Sequence, residues 1–317
     1  MRMKLIGETP MIKIIYRLRD RQYQMYAKLE YYNLTGSIKD RMIEFALSKA
    51  KERGELHEGM PIVEATSGNT GISLAAFGAF QNHPVQIFMP DWVSHERKEL
   101  MELFGAHVTL LSKEEGGFLT CIARAKEYAE KEHAYLLGQF HNPDNVQAHY
   151  ETSATEILNQ VPNVDAFVSG IGTGGTLIGI GKKLKEKNNT KVVALEPEQM
   201  SLLKLHTNGD HKIEGIGDEF LPDLVDLTII DEVVTVNDED AVNMARKLAQ
   251  KLGLGVGISS GANFLGTVLI GEHQHGTIVT VFPDDSKKYL STTLVDEIDP
   301  NSNFLSNQIE LLTYEIV

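Results

Sequence analysis

The feature of this 317-residue sequence that most restricts its fold is a regular alternation between short β-branched runs and longer helical patterns. In the first half, strand patterns lie at 61–65, 85–89 and 108–111, and helical patterns lie at 71–80, 94–105 and 119–132. In the second half, strand patterns lie at 164–169, 191–195 and 277–282, and helical patterns lie at 176–187 and 238–252. Strands and helices that alternate in this way form mainly parallel sheets with helices on both faces. The sequence therefore predicts an α/β fold with doubly wound sheets, interrupted by a domain boundary near 138–145.

Charge and cysteine content exclude several classes of protein. The net charge is −14, which argues against nucleic acid or an anionic membrane as a partner. No apolar run has the length of a membrane-spanning helix, and the N-terminus lacks the apolar core of a secretory signal. One cysteine, Cys121, fits a reducing compartment, so a cytoplasmic protein is expected. The histidines show no spacing typical of a metal site, so no metal is expected.

A glycine-rich loop in the second half indicates a phosphate site. The pattern Gly170-x-Gly172-x-x-Gly175 lies between a predicted strand and a predicted helix, and Glu196 follows 21 residues after Gly175. Glycines let backbone N–H groups approach a phosphate, and the helix N-terminus supplies partial positive charge. With Glu196 as a ribose-binding acid, this is nearly a dinucleotide fingerprint. A dinucleotide, a terminal phosphate and a purely structural turn all remain open from this pattern, although the flanking threonine hydroxyls suit a terminal phosphate.

Lys39 is placed in the first turn of a predicted helix, after Ser37 as a candidate N-cap. The helix dipole disfavours a cation at this position. One interpretation is an exposed lysine paired with Asp40 or Glu44. The other is an amine whose pKa is lowered by burial and by the dipole, so that it forms a Schiff base with a carbonyl compound.

A second anion-binding turn is predicted at 66–71. Its residues are small or carry hydroxyl groups, and it lies between a strand and a helix. Such a turn presents N–H and O–H donors suited to a carboxylate, and the Asn69 amide adds a donor for a ring oxygen. A well-capped structural turn explains this loop alone. It does not explain two anion-binding loops together with Lys39.

These three motifs, with Ile6 to Pro10 and Gly257 to Gly261, resemble the cysteine synthase (O-acetylserine sulfhydrylase) and cystathionine β-synthase group of fold-type-II pyridoxal phosphate enzymes. The resemblance extends over most of the chain, as far as Ser291. It implies two doubly wound domains of mainly parallel sheets, with the cofactor in the cleft between them. The implied division is an N-terminal segment packed on the C-terminal domain (1–36), an N-terminal domain (37–145), a C-terminal domain (146–300) and a tail (301–317).

The resemblance also implies a role for each motif. Lys39 forms the Schiff base with pyridoxal 5′-phosphate, Asn69 binds the 3′ oxygen, and Ser259 rather than Ser260 contacts the pyridine nitrogen. The phosphate is expected to bind to Gly172, Thr173, Gly174, Gly175 and Thr176. The substrate carboxylate is expected to bind to Thr66, Ser67, Gly68, Thr70 and Gln139.

The implied reaction is β-replacement at an L-amino acid through an α-aminoacrylate, with Lys39 as the base. Its implied form is L-cysteine synthesis from O-acetyl-L-serine and sulfide. A subdomain at about 84–132 is expected to close over the site. The family also implies a homodimer and a serine acetyltransferase as a partner.

Two pairs of acids depart from the synthase pattern. Asp218-Glu219 follows Gly215 to Gly217, where many synthases have small residues, and Asp284-Asp285 follows Pro283, where they have Ser-Ser. Asp218 is either a solvated loop acid or a base for an incoming water or thiol at the mouth of the site. In the second case the enzyme releases hydrogen sulfide from L-cysteine and forms L-serine, or a thioether such as lanthionine or cystathionine. The roles of Glu219, Asp284 and Asp285 remain open.

Overall fold

The N-terminal half contains a small parallel sheet. The computed structural model describes residues 5–297 and 303–317. The sheet has the order β5-β4-β3-β6, and all its strands are parallel. Its strands are β3 (Ile62–Ala65), β4 (Val85–Pro90), β5 (His107–Leu111) and β6 (Tyr135–Leu136). The helices of this half are α1 (Lys39–Glu52), α2 (Asn69–Gln81), α3 (His95–Leu103) and α4 (Gly117–Glu132).

The second sheet has seven strands in the order β11-β1-β2-β10-β7-β8-β9. The strands from β2 to β9 in that order are parallel, whereas β1 pairs antiparallel with β2 and β11. The strands are β1 (Met11–Leu18), β2 (Arg21–Leu29), β7 (Ala166–Gly170), β8 (Lys191–Pro197), β9 (Glu232–Val236), β10 (Ile278–Phe282) and β11 (Ile309–Ile316). The helices after β6 are α5 (Pro143–Glu151), α6 (Ser153–Gln160), α7 (Gly175–Asn188), α8 (Asp238–Leu252) and α9 (Ile258–Gly271).

The predicted α/β class with mainly parallel sheets is confirmed. Each sheet has its own buried apolar core, as expected when helices cover a parallel sheet on both faces. The first strands, β1 and β2, and the last, β11, belong to the larger sheet. The division into domains remains a proposal, and 1–4 and 298–302 lie outside the described residues.

The start of α1 differs in one detail from the prediction. Ile38 rather than Ser37 is the N-cap residue, and no side chain caps the helix. The Ser37 hydroxyl accepts a hydrogen bond from the Lys39 amide at 3.3 Å. The chain before the helix is held by a distant segment, through a hydrogen bond that the Ile38 amide donates to the Pro283 carbonyl at 2.8 Å. Lys39 is therefore fixed by a contact between distant parts of the chain.

Among the residues that the structure describes, no helix combines the length and the apolar character needed to cross a membrane.

Candidate active site

A pocket lies where the loops that follow β3 and β7 face each other. Both loops leave the carboxyl ends of parallel strands, which is where open α/β sheets bind their ligands. The pocket brings together most of the residues singled out from the sequence: Lys39, Thr66, Ser67, Gly68, Asn69, Thr70, Gln139, Gly172, Thr173, Gly174, Thr176, Asp218 and Ser259. Gly175 lies behind this lining, where a β-carbon would collide with the Asn145 side chain.

Lys39 is the first residue of α1 and lines the pocket. Burial lowers the pKa of its amine, and the nearby Asp284 and Asp218 carboxylates oppose this effect. A lowered pKa leaves more of the amine neutral at physiological pH, and only the neutral amine is nucleophilic or basic. Lys39 is therefore suited to attack a carbonyl group or to accept a proton.

The loop after β3 is held in shape by its own hydroxyl groups and by Gln139. The Thr66 hydroxyl accepts from the Gly68 amide at 3.1 Å, and the Thr70 hydroxyl donates to Gln139 Oε1 at 2.7 Å. The Gln139 side-chain amide donates to the Ala65 carbonyl at 2.9 Å. Gln139 therefore lies beside this loop although it is far away in sequence. Because α2 begins at Asn69, the loop also lies at a helix N-terminus, where an anion is favoured.

The glycine loop after β7 passes very close to neighbouring backbone. A β-carbon at Gly172 would collide with the Gly215 carbonyl oxygen, and Gly174 has a φ of +87°. Asn145 joins this loop to the other side of the pocket, since its side-chain amide donates to the Gln139 carbonyl and to the Thr173 hydroxyl, each at 2.9 Å. The loop leads into the N-terminus of α7, which suits a phosphate.

Glu196 does not have the position that a dinucleotide site requires. It is buried, and its carboxylate accepts hydrogen bonds from the Ser201 hydroxyl at 2.7 Å, the Leu203 amide at 2.9 Å and the Lys204 amide at 3.2 Å. These bonds hold the segment after β8, and Glu196 is not part of the pocket lining. The alternative of Glu196 as a ribose-binding acid, which the sequence left open, therefore gains no support from the structure.

Asp218 lines the pocket and also the larger opening next to it. Burial raises the pKa of its carboxyl to about 6, the positive charge of Lys39 opposes the rise, and Glu219 adds to it. A carboxylate with this pKa is a stronger base than an ordinary aspartate and is still mostly ionised at neutral pH. Its position near Lys39 fits a base better than a solvated loop acid.

The two serines at the start of α9 are in different environments. Ser259 lines the pocket. Ser260 does not, and within the described part of the chain its buried hydroxyl has no hydrogen-bond partner. The position of Ser259 agrees with the preference stated from the sequence.

Sequence reasoning missed Arg97, which also lines the pocket. It is 1 % exposed, donates to the Ser67 carbonyl at 3.1 Å and forms an ion pair with Glu214. Its guanidinium lies 4.9 Å from the centre of the Tyr289 ring. The only signal in the sequence was its place four residues before Met101, which is buried on the same face of α3.

The pocket has the groups that pyridoxal 5′-phosphate needs. The glycines leave room for a phosphate at a helix N-terminus, and a lysine amine of lowered pKa lies in the same pocket. Asn69 and Ser259 add polar groups for the ring. The Asn69 side-chain oxygen is buried and has no hydrogen-bond partner among the described residues.

Comparison with known proteins agrees with this chemistry. A family model described as pyridoxal-phosphate dependent enzyme matches residues 3–284. A cysteine synthase of Staphylococcus aureus is 38 % identical over 92 % of this chain and 95 % of its own.

Solved structures are similar over nearly the whole length. A hydrogen sulfide-producing enzyme from Fusobacterium nucleatum is 50 % identical, with a TM-score of 0.95, over 99 % of this chain and 96 % of its own. An O-acetylserine dependent cystathionine β-synthase from Helicobacter pylori is 36 % identical, with a TM-score of 0.87, over 93 % and 99 %. The motifs around Lys39, the pocket that they form and these similarities together place the chain in the family of pyridoxal-phosphate dependent enzymes, to which it belongs.

Proposed function

We propose that this chain catalyses β-replacement on an L-amino acid, and that its reaction is the synthesis of L-cysteine from O-acetyl-L-serine and sulfide. The observation that carries the proposal is that Lys39, the loop after β3 and the glycine loop after β7 line one pocket. When bound, pyridoxal phosphate supplies a conjugated ring that stabilises negative charge at the α-carbon of an amino acid. The protein has to hold the reactants in place, exclude water and move protons.

The proposed cofactor contacts divide between the two sides of the pocket. The loop from Gly172 to Thr176 holds the phosphate, and Ser259 faces the pyridine nitrogen. Asn69 binds the 3′ oxygen, and Lys39 is the attachment point. A neutral serine at the ring nitrogen leaves the ring less protonated than an aspartate would, which favours elimination and replacement over transamination.

The proposed substrate contacts use the donors of the loop after β3. Thr66, Ser67, Gly68 and Thr70, with Gln139, bind the α-carboxylate, which orients the α-hydrogen towards Lys39. The Lys39 amine removes this proton and returns it at the end of the reaction. Its lowered pKa supports this role, because an amine that is mostly protonated cannot act as a base.

A second candidate reaction uses L-cysteine as the donor and releases hydrogen sulfide. The specific observation in its favour is Asp218, a pocket carboxyl whose pKa is raised to about 6. In this reaction the β-carbon–sulfur bond of L-cysteine breaks and sulfide leaves. Asp218 would then remove a proton from a water or thiol as it bonds to the same carbon, which gives L-serine or a thioether. Its negative charge would also disfavour the hydrosulfide anion as a nucleophile. The similarity to a hydrogen sulfide-producing enzyme supports the same direction.

Product analysis with two donors tests both reactions. The purified protein is incubated with O-acetyl-L-serine plus sulfide and, separately, with L-cysteine, and cysteine, sulfide, serine and thioethers are quantified. Turnover of either donor supports β-replacement, and turnover of neither refutes it. Asp218→Ala is measured in parallel. A selective loss of sulfide release supports Asp218 as the base, whereas unchanged rates with every nucleophile remove it from the mechanism.

We also propose a cytoplasmic homodimer, with a serine acetyltransferase as a partner if the chain is a synthase. The family resemblance supports this proposal. Light scattering coupled to gel filtration tests the dimer, for which the expected mass is twice the 35.2 kDa of one chain. A mass of one chain would contradict it.

A further inference from the structure

Asp284 is a buried carboxylate with no role in the reaction described above. It is fully buried, in the segment between β10 and the 3₁₀ turn at Ser286–Tyr289. The Asn69 side-chain amide donates to its Oδ2 at 2.7 Å, and the Tyr289 hydroxyl donates to the same oxygen at 2.7 Å. Asp284 therefore holds one of the proposed cofactor contacts, although it does not line the pocket itself.

The backbone of this segment meets the starts of two helices that carry site residues. Residues 37 and 284 form an isolated β-bridge immediately before α1. The Gly257 amide donates to the Asp284 carbonyl at 3.0 Å, just before α9 begins. A β-carbon at Gly257 would collide with the Asp284 carboxylate, so the chain approaches this carboxylate as closely as glycine permits. The carboxylate is thus held in one place by the residues around it.

The chemistry of this contact determines which way the Asn69 amide faces. An ionised carboxylate only accepts hydrogen bonds, whereas an amide has two N–H donors on one end and an acceptor oxygen on the other. If the Asn69 amide were rotated by half a turn, its carbonyl oxygen would face the carboxylate, which is repulsive.

One N–H of Asn69 is used in this contact, and the second remains for a ligand. We propose that Asp284 is a positioning residue that fixes the Asn69 amide so that an N–H, and not the carbonyl oxygen, meets the 3′ oxygen of the cofactor. This inference rests on the proposed function, in which Asn69 binds that oxygen. An N–H donor stabilises negative charge on a phenolic oxygen, and a carbonyl oxygen destabilises it.

The test is the absorbance spectrum of the cofactor at full occupancy in Asp284→Asn. The new amide can accept or donate, so it no longer selects one orientation of Asn69. The expected result is a changed ratio of near-ultraviolet to visible cofactor absorbance, with cofactor affinity weaker by about 3- to 10-fold, the loss of one ordinary hydrogen bond. If Asp284→Asn does not fold, Asp284→Ser, which also removes the carboxylate, is measured instead. The absorbance ratio is expected to change in this variant as well.

The matched control is Asp285→Asn. Asp285 is the neighbouring carboxylate and caps the 3₁₀ turn by accepting from the Lys287 amide at 2.9 Å, so its removal should leave the absorbance ratio unchanged. The decisive comparison is Asp284→Asn in an Asn69→Ala background, where it should cause no further change in the ratio. A spectrum of Asp284→Asn equal to that of the parent, or the same change with and without Asn69, overturns the inference. A parent protein that binds no pyridoxal phosphate refutes the proposed function instead.

Discussion

Two carboxylates near Lys39 affect the pKa of its amine, and they differ in how tightly the structure holds them. Both Asp284 and Asp218 raise the pKa of Lys39 against the effect of burial. Asp284 is held by hydrogen bonds from Asn69 and Tyr289. Asp218 lines the open side of the pocket, where an incoming nucleophile would pass. Of the two acids that depart from the synthase pattern, Asp284 is thus held by hydrogen bonds, whereas Asp218 lies at the opening of the pocket.

From the raised pKa of Asp218 we predict how the rate of sulfide release from L-cysteine depends on pH. A base works only when unprotonated, so with a pKa of about 6 the rate should fall as the pH drops below that value. Asp218→Asn should lose this acidic limb and turn over about 100-fold or more slowly, the usual contribution of a general base. The measurement is the rate of sulfide release against pH for both proteins.

The neighbouring Glu219 provides the control for this profile. Its charge raises the pKa of Asp218, so Glu219→Gln should keep the acidic limb and move it to lower pH. Asp218 is not the base if the rate of the parent has no acidic limb near pH 6, or if Asp218→Asn keeps the same limb.

The site residues that were predicted from the sequence belong to contiguous motifs. The loops at 66–70 and 172–176 each show their chemistry within a few residues. Asn69 and Asp284, by contrast, are 215 residues apart, and nothing in either local sequence indicates the contact. The same holds for Arg97, whose partner Glu214 lies on a loop far along the chain. Supporting contacts of this kind depend on the tertiary fold, so they appeared only in the structure.

At the scale of elements, Glu64 near the end of β3 supports the segment that carries Gln139. Its carboxylate accepts from the Gly138 amide at 2.6 Å, the Gln139 amide at 3.4 Å and the Ala65 amide at 3.0 Å. Burial nevertheless raises the pKa of the Glu64 carboxyl to about 8, against the opposing effect of these bonds. One residue before its end, β3 therefore carries a group that is costly to ionise and that bonds to the segment holding Gln139.

From the raised pKa of Glu64 we predict that the protein becomes less stable as the pH rises. An acid whose pKa is raised by folding stabilises the fold below its unfolded pKa, and this stabilisation is lost as the pH rises through the folded value of about 8. Glu64→Gln carries no titrating group, so its unfolding free energy should decline less between about pH 5 and pH 9, by a few kcal/mol. Urea unfolding at several pH values measures this difference.

An exposed glutamate gives the comparison for Glu64. Glu58 is exposed near the end of the segment that leads into β3, and Glu58→Gln should follow the pH dependence of the parent. If Glu64→Gln and the parent show the same slope, Glu64 does not titrate as described.

The sequence predicted the elements whose patterns are strong and local, and it missed β1, β2, β6, β9, β11, α5, α6 and α9. Helix α8 matches its predicted range because Asn237 caps it by accepting from two amides of its first turn. The strand β6 has two residues and carries no usable pattern. The hairpin of β1 and β2 was missed because both strands include charged and aromatic residues on partly exposed faces, which weakens the alternation.

At the scale of the whole molecule, the mouth of the pocket is formed by parts of the chain that are distant in sequence. Lys113 forms an ion pair with Asp210 at 2.7 Å and lies 5.4 Å from the centre of the Trp92 ring. Trp92 and Lys113 belong to the segment proposed to close over the site, at about 84–132, and Asp210 belongs to the loop that leads to Asp218. An exposed ion pair of this kind is weak, so it can open and close readily.

Closure of the segment at about 84–132 should change the fluorescence of Trp92. It is the only tryptophan in the sequence, it is 44 % exposed, and it lines the opening. Binding of an amino-acid donor should bury the ring and move its emission to shorter wavelength, in a fluorescence titration of the holoenzyme. The D-enantiomer of the donor should leave the emission unchanged. Unchanged emission with a donor that is turned over would contradict closure of this segment.

Locating the cofactor on the chain tests most directly whether Lys39 carries it. The protein purified with pyridoxal phosphate is reduced with borohydride, which converts a C=N bond between a lysine and the cofactor into a stable C–N bond. It is then digested and analysed by mass spectrometry. We expect a phosphopyridoxyl group on the peptide that contains Lys39 and none in Lys39→Ala. A group on another lysine, or no modification in a protein that turns over its donor, would contradict it.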